Sequence, residues 1–211
     1  MKVLVACEES QVVTKAFRDL GHEAYSCDLQ DCSGGHPEWH IIGDVSDILY
    51  DGWDLLIGHP PCTYISYAGT AHWNKPGRLL KRLVALEFFA KLWLAPIERI
   101  CLENPKGCAS PIIAKFTQEI QPYYFGDSDL KTTWLWLKNL PQLEHFREHN
   151  LFNEMTHTKK PEPIYVDKVS GKKRYFTQAI SGSNREFKRA KTFPGIAQAM
   201  ADQWGDIMKY D

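Results

Sequence analysis

No stretch of this 211-residue chain approaches the roughly 20 consecutive apolar residues that a bilayer-spanning helix needs, so no membrane span is expected. The amino-terminal apolar run, Val3-Leu4-Val5-Ala6, is too short for a signal-peptide core, and Glu8 and Glu9 follow almost at once. A soluble, cytoplasmic protein is therefore expected. Without an export signal, Cys7, Cys27, Cys32, Cys62, Cys101 and Cys108 read as core residues with room for one reactive thiol, not as a disulfide framework. Internal repeats and low-complexity tracts are also absent, which sets aside solenoid architectures. So is any Cys-x2-Cys pair. The nearest approach to a metal set, Cys27-x4-Cys32-x3-His36-x3-His40, is interrupted by Gly34-Gly35, and no metal site is expected.

What is present is the composition of an ordinary globular protein. Hydrophobic residues make up 44% and charged residues 24%, enough to build a core without wholesale disorder. The length suits one sizeable core and not two comfortable ones. The net charge of −1 conceals an asymmetry. Residues 1–158 carry 14 Lys and Arg against 20 Asp and Glu. Residues 159–191 carry ten basic residues against Glu162, Asp167 and Glu186, a balance of +7. Such a block suits contact with a polyanion, although a well-solvated, loop-rich face has the same composition.

The first 105 residues alternate strand-like and helix-like stretches. Val3–Ala6 reads as a strand. Ser10 is placed to cap a helix over Gln11–Leu20, whose apolar positions Val12, Val13, Ala16, Phe17 and Leu20 recur at helical spacing. Strands are expected at His22–Asp28, at a short edge near Ile41–Asp44, at Asp54–Ile57 and at Arg99–Leu102. A long helix is expected at Arg78–Leu94. This alternation predicts an α/β protein with a doubly wound, mainly parallel sheet. Beyond residue 106 the sequence suggests a helix over Pro111–Ile120, a strand over Thr133–Leu137, a hairpin turn at Lys168–Lys173 and a closing helix over Pro194–Met208. Residues 1–140 and 192–211 read as one catalytic unit, with 141–191 a small, irregular basic insertion.

In a doubly wound sheet, chemistry gathers at the carboxyl ends of the strands. Two segments there stand out. His59-Pro60-Pro61-Cys62 puts a thiol just past a buried strand, behind two rigid prolines that fix the backbone and withhold its donors. That suits a positioned nucleophile, although an arbitrary cysteine is more often a small buried hydrophobe. Glu103-Asn104-Pro105 puts a carboxylate directly after another buried strand, where it needs a partner or a proton. The bland alternative is a loop carboxylate that caps Lys106 or a backbone amide.

Taken together and in order, these segments resemble the cytosine carbon-5 DNA methyltransferases. Asp54-Leu-Leu-Ile-Gly-His-Pro-Pro-Cys-Thr-Tyr-Ile-Ser66 is similar to that family's Pro-Pro-Cys segment, and Arg99-Ile-Cys-Leu-Glu-Asn-Pro-Lys-Gly107 to its Glu-Asn-Val segment. Ile42-Gly43-Asp44-Val45 looks like its adenine-holding element, and Asp28 sits where the family places an acid on the ribose hydroxyls. Phe193–Trp204 resembles its last motif, which packs back beside the first strand.

The resemblance implies a Rossmann-like methyltransferase fold with S-adenosylmethionine as cofactor and DNA as partner, the target base leaving the stack. No protein partner is indicated. It implies Cys62 as nucleophile and Glu103 as the group on the cytosine ring. Pro61, Ser66, Asn104 and Lys131 would meet the substrate. Ala6, Cys7, Glu8, Asp28, Asp44, Val45 and Pro60 would line the cofactor site. Three features depart from the family. The turn Cys7-Glu8-Glu9-Ser10 lacks its Phe-x-Gly-x-Gly glycines, no Gln-x-Arg-x-Arg follows, and there is no large target-recognition domain. Other acceptors, such as RNA or a nucleotide, therefore stay open, as does a non-catalytic nucleic-acid-binding module on the same fold.

Overall fold

The computed structural model describes residues 1–145, 159–168, 171, 173–180, 182 and 191–206. In chain order its elements are β1 (Lys2–Ala6), α1 (Val12–Asp19), β2 (Glu23–Asp28), β3 (His40–Ile42), β4 (Leu55–Gly58), α2 (Arg78–Trp93), β5 (Arg99–Pro105), α3 (Ala109–Ile112), β6 (Gln118–Ile120), β7 (Thr133–Lys138), β8 (Tyr165–Val166), β9 (Lys173–Arg174), α4 (Phe176–Ala179) and α5 (Pro194–Trp204). Among the described residues no helix is long and apolar enough to cross a membrane.

Seven strands form one sheet in the order β3-β2-β1-β4-β5-β7-β6. The first five run parallel, and β7 runs antiparallel to both of its neighbours. This is a doubly wound, Rossmann-like arrangement. Both faces of the sheet are covered, which explains why the central strands β1 and β4 are almost continuously apolar. Leu4, Leu56, Ile100 and Leu102 point to the α2 side, where Phe89, Leu92 and Trp136 complete the core. Val3, Val5, Leu55 and Ile57 point to the other side, against Phe17 of α1 and Ile196, Met200 and Trp204 of α5. The strand order reverses between β1 and β4, so the crevice outside their carboxyl ends is the switch point where such sheets hold ligands.

Four sequence expectations are corrected. Ser10 does not cap α1. Gln11 is the residue before the helix, in a left-handed conformation, and the buried Glu8 carboxylate accepts from the amides of Val13 at 2.7 Å and Thr14 at 3.2 Å. Glu8 thereby satisfies donors that every helix leaves open at its amino end. The helix expected over Pro111–Ile120 is only the single turn α3, followed by β6. Residues 118–120 alternate buried and exposed and pair with β7 through Gln118↔Leu135 and Ile120↔Thr133, so strand pairing overrides the local pattern. β5 runs past Leu102 to Pro105 because β7 pairs with it beyond the point where β4 ends. The closing helix ends at Trp204, and residues 207–208 of that expectation lie outside the described residues.

Part of 141–191 is tied to the sheet unit. Leu143 exchanges hydrogen bonds with Gln118, its carbonyl accepting at 2.8 Å and its amide donating at 2.9 Å. The antiparallel pair β8-β9 stands where the hairpin is expected. The amide of Thr177 in α4 donates to Asp129 at 2.9 Å, and its hydroxyl donates to the same oxygen.

Candidate active site

Sheet register brings the site together. Ala6 stands beside Cys27 on one side and Gly58 on the other, and Gly58 stands beside Leu102. One residue further along each strand come Cys7, Asp28, His59 and Glu103, in one row across the carboxyl edge. Backbone bonds extend the row: Cys7 donates to the Cys27 carbonyl at 2.7 Å and His59 to the Ala6 carbonyl at 3.0 Å. The cysteine loop leaves the sheet next to the glutamate strand.

Two contacts clamp that loop to β5. The Asn104 side-chain amide donates to the Pro60 carbonyl at 2.6 Å. Ser66 forms an isolated antiparallel bridge with Gly107, reinforced by Tyr67 donating to the Lys106 carbonyl at 2.9 Å and Cys108 to the Ile65 carbonyl at 2.9 Å. Gly107 is required for this approach, since a Cβ there would stand 2.5 Å from the Ile65 carbonyl oxygen. Cys62 itself is partly exposed, and its carbonyl accepts from Ile65 and Ser66 at 3.1 and 2.9 Å, closing a tight turn. Burial pushes the thiols of Cys7 to about 12 and Cys27 to about 11, and also raises Cys101 and Cys108, so these four are poor thiolates. Of the two remaining cysteines, only Cys62 stands on the loop that is clamped to the glutamate strand.

Glu103 is 8% exposed and lies inside a strand, a costly position for a carboxylate. Its Oε2 lies 3.2 Å from His59 Nδ1 and accepts from the Thr192 hydroxyl at 3.4 Å. Desolvation pushes the carboxyl up, but the His59 hydrogen bond and charge, aided by Lys131 and Thr192, outweigh it and hold Glu103 below its ordinary range. Conversely, burial pulls His59 down, yet Glu103 and the more distant Glu8 raise it above the usual imidazole value. The charges that favour the ionised form of Glu103 are those of His59 and Lys131.

A cleft of about 760 Å³ opens beside this row. Cys7, Asp28, Asp44, Val45 and Pro61 line it on the sheet side, and Leu80, Val84 and Phe88 of α2 on the other. The glycine-free turn nevertheless takes glycine-like shapes: Cys7 has φ 59° and Gln11 φ 57°, both left-handed. Glu8 faces inward to α1, while the neighbouring Glu9 leaves Oε2 buried without a hydrogen-bond partner among the described residues. Glu9 borders a second cavity of about 100 Å³, shared with Cys7, His59, Lys191 and Thr192.

The structure thus brings Cys7, Asp28, Asp44, Val45 and Pro61 to one cleft, and Glu103, Asn104, Pro60 and Ser66 to the adjoining clamp. Ala6 is wholly buried within β1, and Glu8 is engaged by α1. His59 and Thr192 were not singled out as site residues from sequence. His59 had a signal, being the last residue before Pro60-Pro61-Cys62, but its partner 44 residues away is visible only in the fold. In the Cys27–His40 loop, both ring nitrogens of His40 are committed, to Ser26 Oγ at 2.7 Å and the Gln30 carbonyl at 2.8 Å. The His36 ring stacks on Trp39 with centroids 3.9 Å apart.

No protein-family model and no curated protein matches the chain. A similar solved structure is that of a candidate DNA modification methyltransferase encoded within an E. coli prophage, 12% identical with a TM-score of 0.43. The match covers 65% of this chain and 46% of that one, so the chain spans about half the length of that structure. A likeness at this level says nothing of activity or of residue roles.

Proposed function

We propose that the protein is an S-adenosylmethionine-dependent methyltransferase acting on carbon 5 of cytosine in DNA, with Cys62 as nucleophile, working in the cytoplasm. The observation that carries the reading is the clamp: Asn104 on Pro60, and Ser66 on Gly107, hold the thiol loop against the strand that bears Glu103. A thiol on that loop and a carboxyl group on the adjoining strand are the two groups that this chemistry needs.

The cleft fits the cofactor in size and lining. Asp28 would take the ribose hydroxyls, Asp44 and Val45 the adenine, and the turn at Ala6, Cys7 and Glu8 would lie beside the methionine end, with Pro61 in the lining and the buried Pro60 behind it. Glu9 Oε2, which has no hydrogen-bond partner among the described residues, suits an ammonium group, its Oε1 lying 3.8 Å from Lys191 Nζ. When bound, the cofactor supplies an electrophilic methyl group.

The chain's own residues do the rest. The Cys62 thiolate bonds to carbon 6 of the cytosine, and the displaced ring electrons make carbon 5 nucleophilic. Glu103, having taken up a proton, donates to ring nitrogen 3 as charge develops there, and its other oxygen accepts from the exocyclic amine. Once carbon 5 has gained the methyl group it loses its proton to a base, the carbon–sulfur bond breaks, and the thiolate is restored. Lys131 adds positive charge near Glu103. The exposed Lys159, Lys160, Lys168, Lys173 and Arg174 make 141–191 the region offered to the nucleic acid backbone.

The test is covalent trapping on DNA containing 5-fluorocytosine, whose fluorine blocks the final elimination. The expected result is a stable adduct with the native protein and S-adenosylmethionine, and none with Cys62→Ala. An adduct on RNA alone would move the reading to another acceptor. No adduct on either, together with no cofactor binding, would sink it in favour of a binding module.

A further inference from the structure

We propose that the loop after Cys62 and the amino end of α2 form a docking surface for single-stranded DNA, and that the protein takes its cytosine from a single strand in preference to a duplex. This deepens the reading above and rests on it for the identity of the base. Residues 1–158 hold 20 acidic against 14 basic residues, yet the stretch 55–86 holds no Asp or Glu and carries Lys75, Arg78, Lys81 and Arg82. Among the described residues none of these four makes an ion pair with a carboxylate. Arg78, Lys81 and Arg82 stand in the first turns of α2, whose amino end has no side-chain cap and no acid in its first turn. Cations there oppose the helix dipole, so helix stability does not account for them. An anion seated beside them is favoured by both the charges and the dipole.

The cations interleave with aromatic rings. The Arg78 guanidinium lies 4.5 Å and the Lys81 ammonium 5.6 Å from the Tyr64 ring centre, and Arg82 lies 3.9 Å over Trp73. Arg82 also donates to the Tyr64 carbonyl at 3.3 Å and to the Trp73 carbonyl at 3.4 Å, which fastens the loop to the helix. Tyr67 is 42% exposed and packs against Trp73 with ring centres 5.9 Å apart. Its amide donates to the Lys106 carbonyl at 2.9 Å, just past the strand that bears Glu103. Tyr64 and Tyr67 thus follow Cys62 closely along the chain, on a backbone that is held from two sides.

Flat rings beside cations are what an unpaired strand needs: bases stack on the rings while phosphates meet the charges. In a duplex the neighbours of the target are paired and stacked on one another, and offer no face to Tyr64 or Tyr67. Taking a base from a single strand also costs least, since no pairing is broken. A duplex must be held open once the base has left it, and the sequence leaves only the short segment 141–191 for that work.

Binding is read by fluorescence anisotropy of the full-length protein, without cofactor, on a labelled cytosine-containing single strand and on its duplex. The single strand should bind about tenfold tighter or more. Tyr67→Ala should weaken single-strand binding by roughly fivefold to 100-fold, the loss of one base stack, and leave duplex binding within about twofold. Lys75→Ala combined with Lys81→Ala, both at exposed positions, should weaken both ligands and reduce the single-strand slope of log affinity against log salt by about 1.4. Equal or tighter duplex binding overturns the proposal, as does preference for an RNA strand over the DNA strand, or native affinity and salt slope in the double lysine variant. Should Tyr67→Ala fail to fold, Tyr67→Leu, which keeps apolar bulk without the flat ring, replaces it. Failure here is separable from failure of the reading above. Trapping on duplex DNA with no single-strand preference would sink only the surface, whereas tight single-strand binding with no adduct would sink only the chemistry.

Discussion

Burying a charged group is expensive, and at this site the expense is offset within a few ångströms. Burial alone would push the Glu103 carboxyl up, yet His59, Lys131 and Thr192 reverse the direction. Because His59 is raised, its contribution to stability is complete below its ordinary 6.5 and is lost as pH rises through its folded value. Because Glu103 is lowered, its contribution is complete above its ordinary 4.5 and is lost as pH falls through its folded value. The stability advantage of the native protein over Glu103→Gln should therefore peak between 4.5 and 6.5 and decline on both sides. Urea unfolding of both proteins over a pH series checks this. An advantage that is flat with pH would mean that the pair is not ionic.

At the scale of elements, the decisive event is the lengthening of β5. β4 stops at Gly58, while β7 continues to pair with β5 as far as Pro105↔Thr133. The carboxylate is thus carried on a rigid strand and not on a loop, and Asn104 can reach back to the Pro60 carbonyl. The second half of the clamp depends on Gly107. In Gly107→Ala the new Cβ would meet only backbone atoms of Ile65 and Ser66, at 2.5 to 3.2 Å, which cannot rotate away. The bridge must open, at a cost of about 1–3 kcal/mol in stability. Displacing the thiol loop should slow adduct formation by roughly 100-fold. Stopped-time trapping assays beside urea melts measure both effects. Trapping at the native rate would show that the bridge does not position Cys62.

Across the whole molecule, the carboxyl-terminal helix closes the core beside the first strand. Trp204 is fully buried in α5 among residues of α1 and the sheet, and its indole donates to the Pro141 carbonyl at 3.1 Å. Trp204→Ala should cost about 3–5 kcal/mol. In a chain of this size that lowers the melting temperature by roughly 10 °C, as calorimetry would record. A loss under about 1 kcal/mol would mean that α5 is dispensable to the core. Thr192 leads into α5 and donates to Glu103, so the same segment that seals the core also touches the site.

Much of this was legible in the residues. Continuous apolar runs ending in Ala6, Ile57 and Leu102 imply buried parallel strands, because only strands covered on both faces can be apolar throughout. The two segments around Cys62 and Glu103 were marked by chemistry that a buried strand end tolerates only for a reason. Local sequence could not show that residues 118–120 would abandon a helical pattern for a strand, since that depends on β7 offering an edge. Nor could it show that Glu8 would cap α1 in place of Ser10, or that His59 would face Glu103. Those outcomes rest on register, which sets distant residues side by side through backbone hydrogen bonds and leaves no trace in the spacing along the chain.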